Sequence, residues 1–412
     1  MRIAAKKSSI VPLVVFLFPF LSCFAAITAF LSSAAANEPL SAEESPRVMA
    51  KPFVGFERGM GIGGWLTNYK RFHVLRQQWR GPLTIGDYEH FATYITEDDV
   101  KNIASMGMDH IRVCFDQVVL FDEEGNFRDQ VLSHLDNFMD WCRGARLNVV
   151  LNLHKAIGNY CDIEEKVKLL DDAGLQEGFV KLWVALENHY ADRPEIAFEL
   201  LNEVRGGDSD KWNNLAERTI DAIRALDKDR IIVVGSAGWN SPAELKNLRL
   251  YDDEKIVYTF HIYAPGEFTH QRGVLQEGPL YYNRQMAWPS DIEPYRDYKR
   301  VVEGAANPYP NFERMDREFL RSRLQPAFDF IEEHPDKVLW CGEFGTIRHC
   351  KIEWRENWMN DVISLLKEYG ISYSVWNYLS TPNDGNRFSL VDDDTRQILS
   401  PRMLRIIRGE EP

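Results

Sequence analysis

From Phe53 to the end of the chain, short apolar runs and amphipathic runs alternate, and they do so eight times. This pattern restricts the fold sharply. Strands separated by helices re-enter a sheet in the same direction, so the sheet is parallel and covered by its crossovers. Strands are read at Met60–Leu66, His110–Asp116, Asn148–His154, Ile196 to Glu203, Ile231–Gly235, Ile256–Tyr263, Val338 to Glu343 and Tyr373–Tyr378. The first helix is read to open at Thr96, with Asp99 completing a capping box and Gly107 as its stop. Others follow at about Leu132–Arg143 and Leu175–Tyr190, through Trp212, Leu215, Ala216, Ile220, Ile223 and Leu226, and briefly from Ser241-Pro242. The last three lie at about Ser322–Glu333, at Trp358 to Tyr369 before Gly370, and near Met403–Arg408. Eight such units predict an α/β fold of the (β/α)8 TIM-barrel type in a single domain. A doubly wound open sheet is the alternative. It is disfavoured because Gly61-Ile62-Gly63-Gly64 lacks the GxGxxG spacing and no helix follows it.

The barrel accounts for residues 52–412, with an insertion after strand 6 at 264–321 that is rich in Tyr, Pro and Arg and weakly periodic. Residues 1–36 read as a signal peptide. Arg2, Lys6 and Lys7 precede an apolar run from Ile10 to Leu31, and Ala34-Ala35-Ala36 supplies a cleavage site. The run is long, so an uncleaved membrane anchor is the alternative, and Phe20-Leu21-Ser22-Cys23 loosely resembles a lipoprotein site. The expected location is secreted or periplasmic. Residues 37–51 read as a leader tether. A net charge of −14 argues against nucleic acid or an anionic membrane as the main partner. Cys114, Cys142, Cys161, Cys341 and Cys350 have no CxxC spacing and form neither a disulfide framework nor a zinc site, although Cys161 and Cys350 lie in loops where a pair is open.

Active sites in this barrel lie at the C-terminal ends of the strands. The polar residues read there are Arg112, His154, Asn202, Glu203, His261, Tyr263 and Glu343, with the large aromatic Trp376. Polar groups are costly in a barrel core unless paired, so a ring of them at one end points to chemistry. Two carboxylates suit glycosidic cleavage: one protonates the leaving oxygen, the other attacks the anomeric carbon or activates water. Arg112 and Tyr263 are placed to keep one Glu ionised, Asn202 to donate to a sugar hydroxyl, and Trp376 to stack under a pyranose.

The ordered motifs Arg58-Gly59-Met60-Gly61-Ile62-Gly63-Gly64-Trp65, Ile111-Arg112-Val113, Leu153-His154, Leu200-Leu201-Asn202-Glu203, His261-Ile262-Tyr263, Gly342-Glu343-Phe344-Gly345 and Val375-Trp376-Asn377-Tyr378 resemble glycoside hydrolase family 5, the cellulase family. Tyr94 to Asp99, Phe268-Thr269-His270-Gln271 and Trp340-Cys341-Gly342-Glu343 resemble its bacterial endoglucanase C type. The resemblance implies a retaining endo-β-glucanase acting on β-1,4 or mixed-linkage β-1,3-1,4 glucans, with Glu203 as acid/base and Glu343 as nucleophile. It also implies Arg112 and Tyr263 beside the nucleophile, His261 near the acid/base, His154 and Asn202 on sugar hydroxyls, and Trp376 under the sugar at the cleavage point. A β-glucan is the implied partner; no cofactor, metal, nucleic acid or protein partner is implied. Lys155 departs from the type, which tends to carry a second His there, and the first loop looks longer. A β-mannanase or exo-acting β-glycosidase on the same scaffold is the alternative, and an inactive carbohydrate-binding barrel is the alternative of another class.

Neighbouring residues take plainer readings. Glu199 shares the parity of Glu203 but lies deeper, as a structural carboxylate; Trp65 is packing; Asp392-Asp393-Asp394 is a solvated turn. Trp239, Trp288 and Tyr160 are evenly balanced between loop packing and sugar platforms.

Overall fold

The computed structural model describes residues 47–69, 82–160, 167–381 and 384–411. The expected signal peptide, most of the expected tether, Arg80, Gly81 and Cys161 lie outside the described residues. The strands are β1 (Arg58–Leu66), β2 (His110–Asp116), β3 (Asn148–Lys155), β4 (Ile196–Glu199), β5 (Ile232–Gly235), β6 (Ile256–Ile262), β7 (Ser290–Asp291), β8 (Arg314–Met315), β9 (Val338–Phe344) and β10 (Ser372–Val375). A closed parallel barrel runs β1-β10-β9-β6-β5-β4-β3-β2. This is the expected (β/α)8 barrel. The short antiparallel pair β7–β8 lies in the insertion.

The barrel interior is stratified by strand parity. At the N-terminal end, Phe53 and Phe56 stack at 4.3 Å and close the floor with Val150, Ala197, Val233, Val257, Val338 and Trp340. One step up, the interior turns polar and stays buried, with Arg112, Asn152, Glu199, Thr259 and Ser374. The helices pack their apolar faces on the outside of the strands in a separate, larger core. Trp65 belongs to that core, 1% exposed, as expected of packing.

Several boundaries differ from those expected. A helix at Ile85–Thr93 precedes the first one read from sequence. It is capped by Thr84 and Asp87, the same pattern as Thr96 and Asp99, but Ile85 is exposed and only Phe91 gives it a buried apolar anchor, so its periodicity is weak. β4 ends at Glu199, not Glu203; Leu200 still bonds to Val233, but Glu203 adopts φ +39°, which no strand continues. The helix expected from Ser322 starts at Arg317, where the Asp316 side chain accepts from the Glu318 N–H. The insertion therefore ends near 316 and carries helices at Gly266–Thr269, Glu277–Tyr282 and Glu293–Glu303. At the other end, the last tether residues are held on the domain: Ala50 N–H donates to Tyr369 O and Arg47 lies over the Tyr369 ring. Cys350 is a buried free thiol that accepts from Gln271 Nε2 at 3.0 Å; its candidate partner Cys161 is not described.

Glycines set how closely β1, β9 and β10 approach. A Cβ at Gly61 or Gly63 of β1 would fall 2.8 or 2.5 Å from the Trp376 ring, and one at Gly59 would enter the His110 ring. The glycine-rich first strand thus makes room for side chains at both ends of the barrel. Gly345, directly after β9, lies so close to Trp376 that a Cβ would meet its carbonyl oxygen at 2.1 Å. The obstacle there is backbone, which gives way little. Gly345→Ala should therefore cost about 1–3 kcal/mol of stability, the usual range for overpacking. Denaturant unfolding of the variant would measure this, and an unchanged midpoint would contradict the close approach.

Candidate active site

The C-terminal mouth of the barrel opens into a cleft of about 770 Å³ whose lining includes Asn68, His154, Asn202, Glu203, His261, Tyr263, Glu343 and Trp376. Seven of the eight residues read from the strand ends therefore face one space. The eighth, Arg112, lies beneath it with no exposed surface.

Glu343 reaches the cleft because β9 is irregular. Trp340 faces the barrel floor, so simple alternation would turn Glu343 outward. The register slips by one residue at Gly342: Phe260 pairs with Cys341, but His261 pairs with Glu343. The extra residue resets the parity and aims Glu343 inward, opposite His261. Its place is kept by glycine, since a Cβ at Gly342 would lie 2.5 Å from Thr259 Oγ1 and 2.9 Å from the Trp340 ring. Glu203 arrives differently, on the loop after β4. Asn202 N–H donates to Leu153 O, and Val204 O accepts from the N–H groups of Gly238 and Trp239, so the left-handed turn at Glu203 is pinned on both sides.

Arg112 organises the floor of the site. Its Nε and Nη2 donate to both oxygens of Glu199 at 2.6 and 2.8 Å, Nη2 also to Asn202 Oδ1 at 2.8 Å, and Nη1 to Glu343 Oε2 at 2.6 Å. Burial works against the guanidinium charge, but Glu199 and Glu343 overcome it and hold the group well above its usual range. Glu199 is thus the buried structural carboxylate expected, and it fixes the Arg112 plane by a two-pronged contact. The second oxygen of Glu343 accepts from Tyr263 OH at 2.7 Å. Burial, then the Glu343 charge, push that phenol well above its ordinary value, so it stays a donor.

Glu203 has a different surrounding. It is part-exposed, and its Oε1 lies 3.0 Å from His261 Nδ1. Asn240 Nδ2 faces the other ring nitrogen at 3.4 Å, so Nε2 accepts and Nδ1–H donates to Glu203. Burial is the main cause that lowers the His261 pKa to about 4, with Glu343 opposing and Arg112 assisting, so the ring is neutral near pH 7. One oxygen of Glu203, one of Glu343 and a nitrogen of His261 all lie within 4.8 Å of one another. Such a trio is a formal cation site, yet both Glu343 oxygens already face donors, one of them cationic. That fits a carboxylate facing a neutral organic substrate.

His154 stacks parallel to Trp376, with ring centroids 5.7 Å apart and planes at 4°. Of the balanced aromatics, Trp288 is fully buried and bonded through Nε1 to Asp361, so it is core rather than platform. Trp239 is 53% exposed and lines the cleft. Tyr160 is absent from the cleft lining, and its carbonyl accepts from Arg205. In the acidic turn, Asp392 caps the backbone of Asp394 and Thr395 while Asp393 pairs with Arg348 and Arg387. Sequence reasoning missed Asn68, Asn240 and the two cleft arginines, Arg205 and Arg323. Asn240 lies five residues past the end of β5 at Gly235, where no polar strand-end residue marks it. A Cβ there would overlap Asn240 at 2.3 Å, so that glycine was itself the available signal.

The family described as Cellulase (glycosyl hydrolase family 5) matches residues 69–381. Over 334 residues the chain is 38% identical to Endoglucanase C of Acetivibrio thermocellus, covering 79% of this chain and 92% of that protein. It is 28% identical over 323 residues to Cellodextrinase A of Ruminococcus flavefaciens, covering 77% and 84%. A solved structure of Thermotoga maritima Cel5A in complex with mannotriose superposes with a TM-score of 0.65 at 22% identity, covering 85% of this chain and 97% of that one, a likeness of fold. The matched motifs, the closed barrel and the paired carboxylates agree: the chain belongs to glycoside hydrolase family 5, the cellulase family, and is a glycosyl hydrolase.

Proposed function

We propose that the chain is a retaining endo-β-glucanase of β-1,4 or mixed-linkage β-1,3-1,4 glucans, with Glu343 as nucleophile and Glu203 as acid/base. The observation that carries the reading is the unequal surroundings of two carboxylates whose oxygens approach within 4.8 Å. Retaining enzymes hold the pair about 5–5.5 Å apart, too close for a water to enter between one carboxylate and the sugar. Glu343 receives two donors, one from a buried cation, which suits an anion that must attack. Glu203 is more exposed and meets the neutral His261 imidazole at 3.0 Å, which suits a group that gives and takes a proton.

In the first step a Glu343 oxygen bonds to the anomeric carbon as the bond to the leaving sugar breaks, and the Glu203 proton goes to the leaving oxygen. In the second, Glu203 takes a proton from water, the water oxygen bonds to the anomeric carbon, and the ester to Glu343 breaks. The sugar under attack lies on Trp376 beside His154. The relatives called endoglucanase support internal cleavage, and Trp239 offers a second exposed aromatic surface in the same cleft.

A hydrolysis panel of mixed-linkage glucan, soluble cellulose, mannan, xylan and aryl glycosides should give fastest cleavage on the two β-glucans, with a rapid fall in viscosity. Preference for mannan, or release of single sugars without that fall, would favour the mannanase or exo-acting alternatives. NMR of the first product formed should show the anomeric configuration of the substrate retained. Glu343→Gln should lower kcat by roughly four orders of magnitude or more while thermal unfolding is preserved; substantial remaining activity would remove Glu343 from its role.

The neutral His261 has a consequence for acid stability. Its folded-state pKa of about 4 lies below the unfolded value of about 6.5, so between those pH values only the unfolded chain takes up the proton. His261 therefore leaves stability untouched above about pH 6.5 and erodes it as pH falls to about 4, by roughly 3 kcal/mol in all. Urea unfolding across this window should give a shallower pH slope for His261→Gln than for the unsubstituted protein; parallel slopes would contradict the buried neutral ring.

A further inference from the structure

A run of donors and acceptors crosses the cleft wall through residues given no role so far. Lys155, the last residue of β3, is only 4% exposed. Its Nζ lies 3.8 Å from Asp116 Oδ2 and donates to Asn68 Oδ1 at 2.6 Å, while Asp116 accepts from Thr67 Oγ1 at 2.6 Å. An ammonium carries donors only, so the Asn68 amide is oriented: its oxygen faces Lys155 and its nitrogen faces away. That nitrogen lies 3.4 Å from His154 Nε2. An amide nitrogen also only donates, so Nε2 accepts and the ring proton sits on Nδ1, which donates to Asn152 Oδ1 at 3.1 Å. Asn68, His154 and Trp376 all line the cleft, and the His154 ring lies parallel to Trp376.

We infer that Lys155 is a positioning residue which, through Asn68, holds His154 in its Nδ1-protonated form, so that the cleft offers one sugar hydroxyl an acceptor and a donor side by side. The identity of the ligand as a sugar rests on the function proposed above; the tautomer does not. A hydroxyl fits this pair because it donates and accepts at once: it replaces the long 3.4 Å contact, giving its proton to His154 Nε2 while accepting from Asn68 Nδ2. A sugar lacking that hydroxyl, or carrying fluorine there, satisfies neither or only one of the two. An Nε2-protonated ring would ask for the opposite arrangement. The buried ammonium at position 155 is what excludes it, because it fixes which end of the amide meets the ring.

The test uses the full chain labelled with ¹⁵N in histidine, unsubstituted and as Lys155→Met and Asn68→Asp. In the unsubstituted protein the His154 Nε2 signal should be of the non-protonated type. Asn68→Asp keeps a partner for Lys155 but sets a carboxylate where the amide donor was, and should move the ring proton to Nε2. Lys155→Met frees the amide to turn, and should mix the two forms. It should also lower kcat/KM on a β-glucan oligosaccharide about tenfold, mainly through KM, the size of one neutral hydrogen bond. Should Lys155→Met fail to fold because Asp116 loses its cation, Asn68→Asp still decides the matter. An Nε2-protonated His154 in the unsubstituted protein overturns the inference, and so does an unchanged tautomer in Asn68→Asp. A normal tautomer series in a protein that cleaves no β-glucan would count against the proposed function and leave the relay standing.

Discussion

The site depends on one buried cation. Arg112 meets Glu199 with two parallel bonds, spends a further donor on Asn202 and reaches up to Glu343. A guanidinium with no exposed surface is tolerable only when its charge and its fixed fork of donors are matched, and here two carboxylates and an amide match them. Removing it would leave two acids uncompensated at the barrel centre, a change of the kind that costs about 3–5 kcal/mol. Glu199 holds the fork in plane, so the one donor facing the cleft has a fixed direction. The orientation of Glu343 is therefore inherited from Glu199, deeper in the barrel, and Tyr263 fixes its second oxygen from the side.

Empty space is the other constraint. The glycines of β1 leave volume for Trp376 and His110, Gly342 carries the register slip that turns Glu343 inward, and Gly345 lets the chain after β9 lie against the Trp376 carbonyl. Trp376 and Glu343 are thus each placed by neighbours with no side chain. The polar interior above the apolar floor has the same logic: groups that would be costly if unpaired are ordered in layers and paired within them.

Much of this was legible in the sequence. The eightfold alternation gave the barrel, because period-2 and period-3.6 patterns are strong over long segments. The strand-end rule gathered Glu203, Glu343, Arg112, His154, Asn202, His261, Tyr263 and Trp376, all of which the structure brings to one place. The rest was hidden for physical reasons. The helix at Ile85–Thr93 buries too little apolar surface to mark itself, and the insertion's helix at Glu293–Glu303 buries only Tyr295 and Tyr298, a face too short to stand out in the sequence. Parity could not reveal the slip at Gly342, since a bulge is a property of pairing. Asn68 and Asn240 sit in left-handed loop conformations, where polar residues are common and nothing local tells a site residue from a turn residue.

In the retaining mechanism proposed above, the Arg112-bound carboxylate forms a covalent bond to the sugar. It is tested most directly by incubating the protein with an activated β-glucoside that carries fluorine at C2, which slows both steps but the second more, and locating the trapped sugar by peptide mass spectrometry. One sugar per chain is expected, attached through an ester to Glu343. Attachment at Glu203, or no attachment while the good leaving group is still released with inversion, would contradict it.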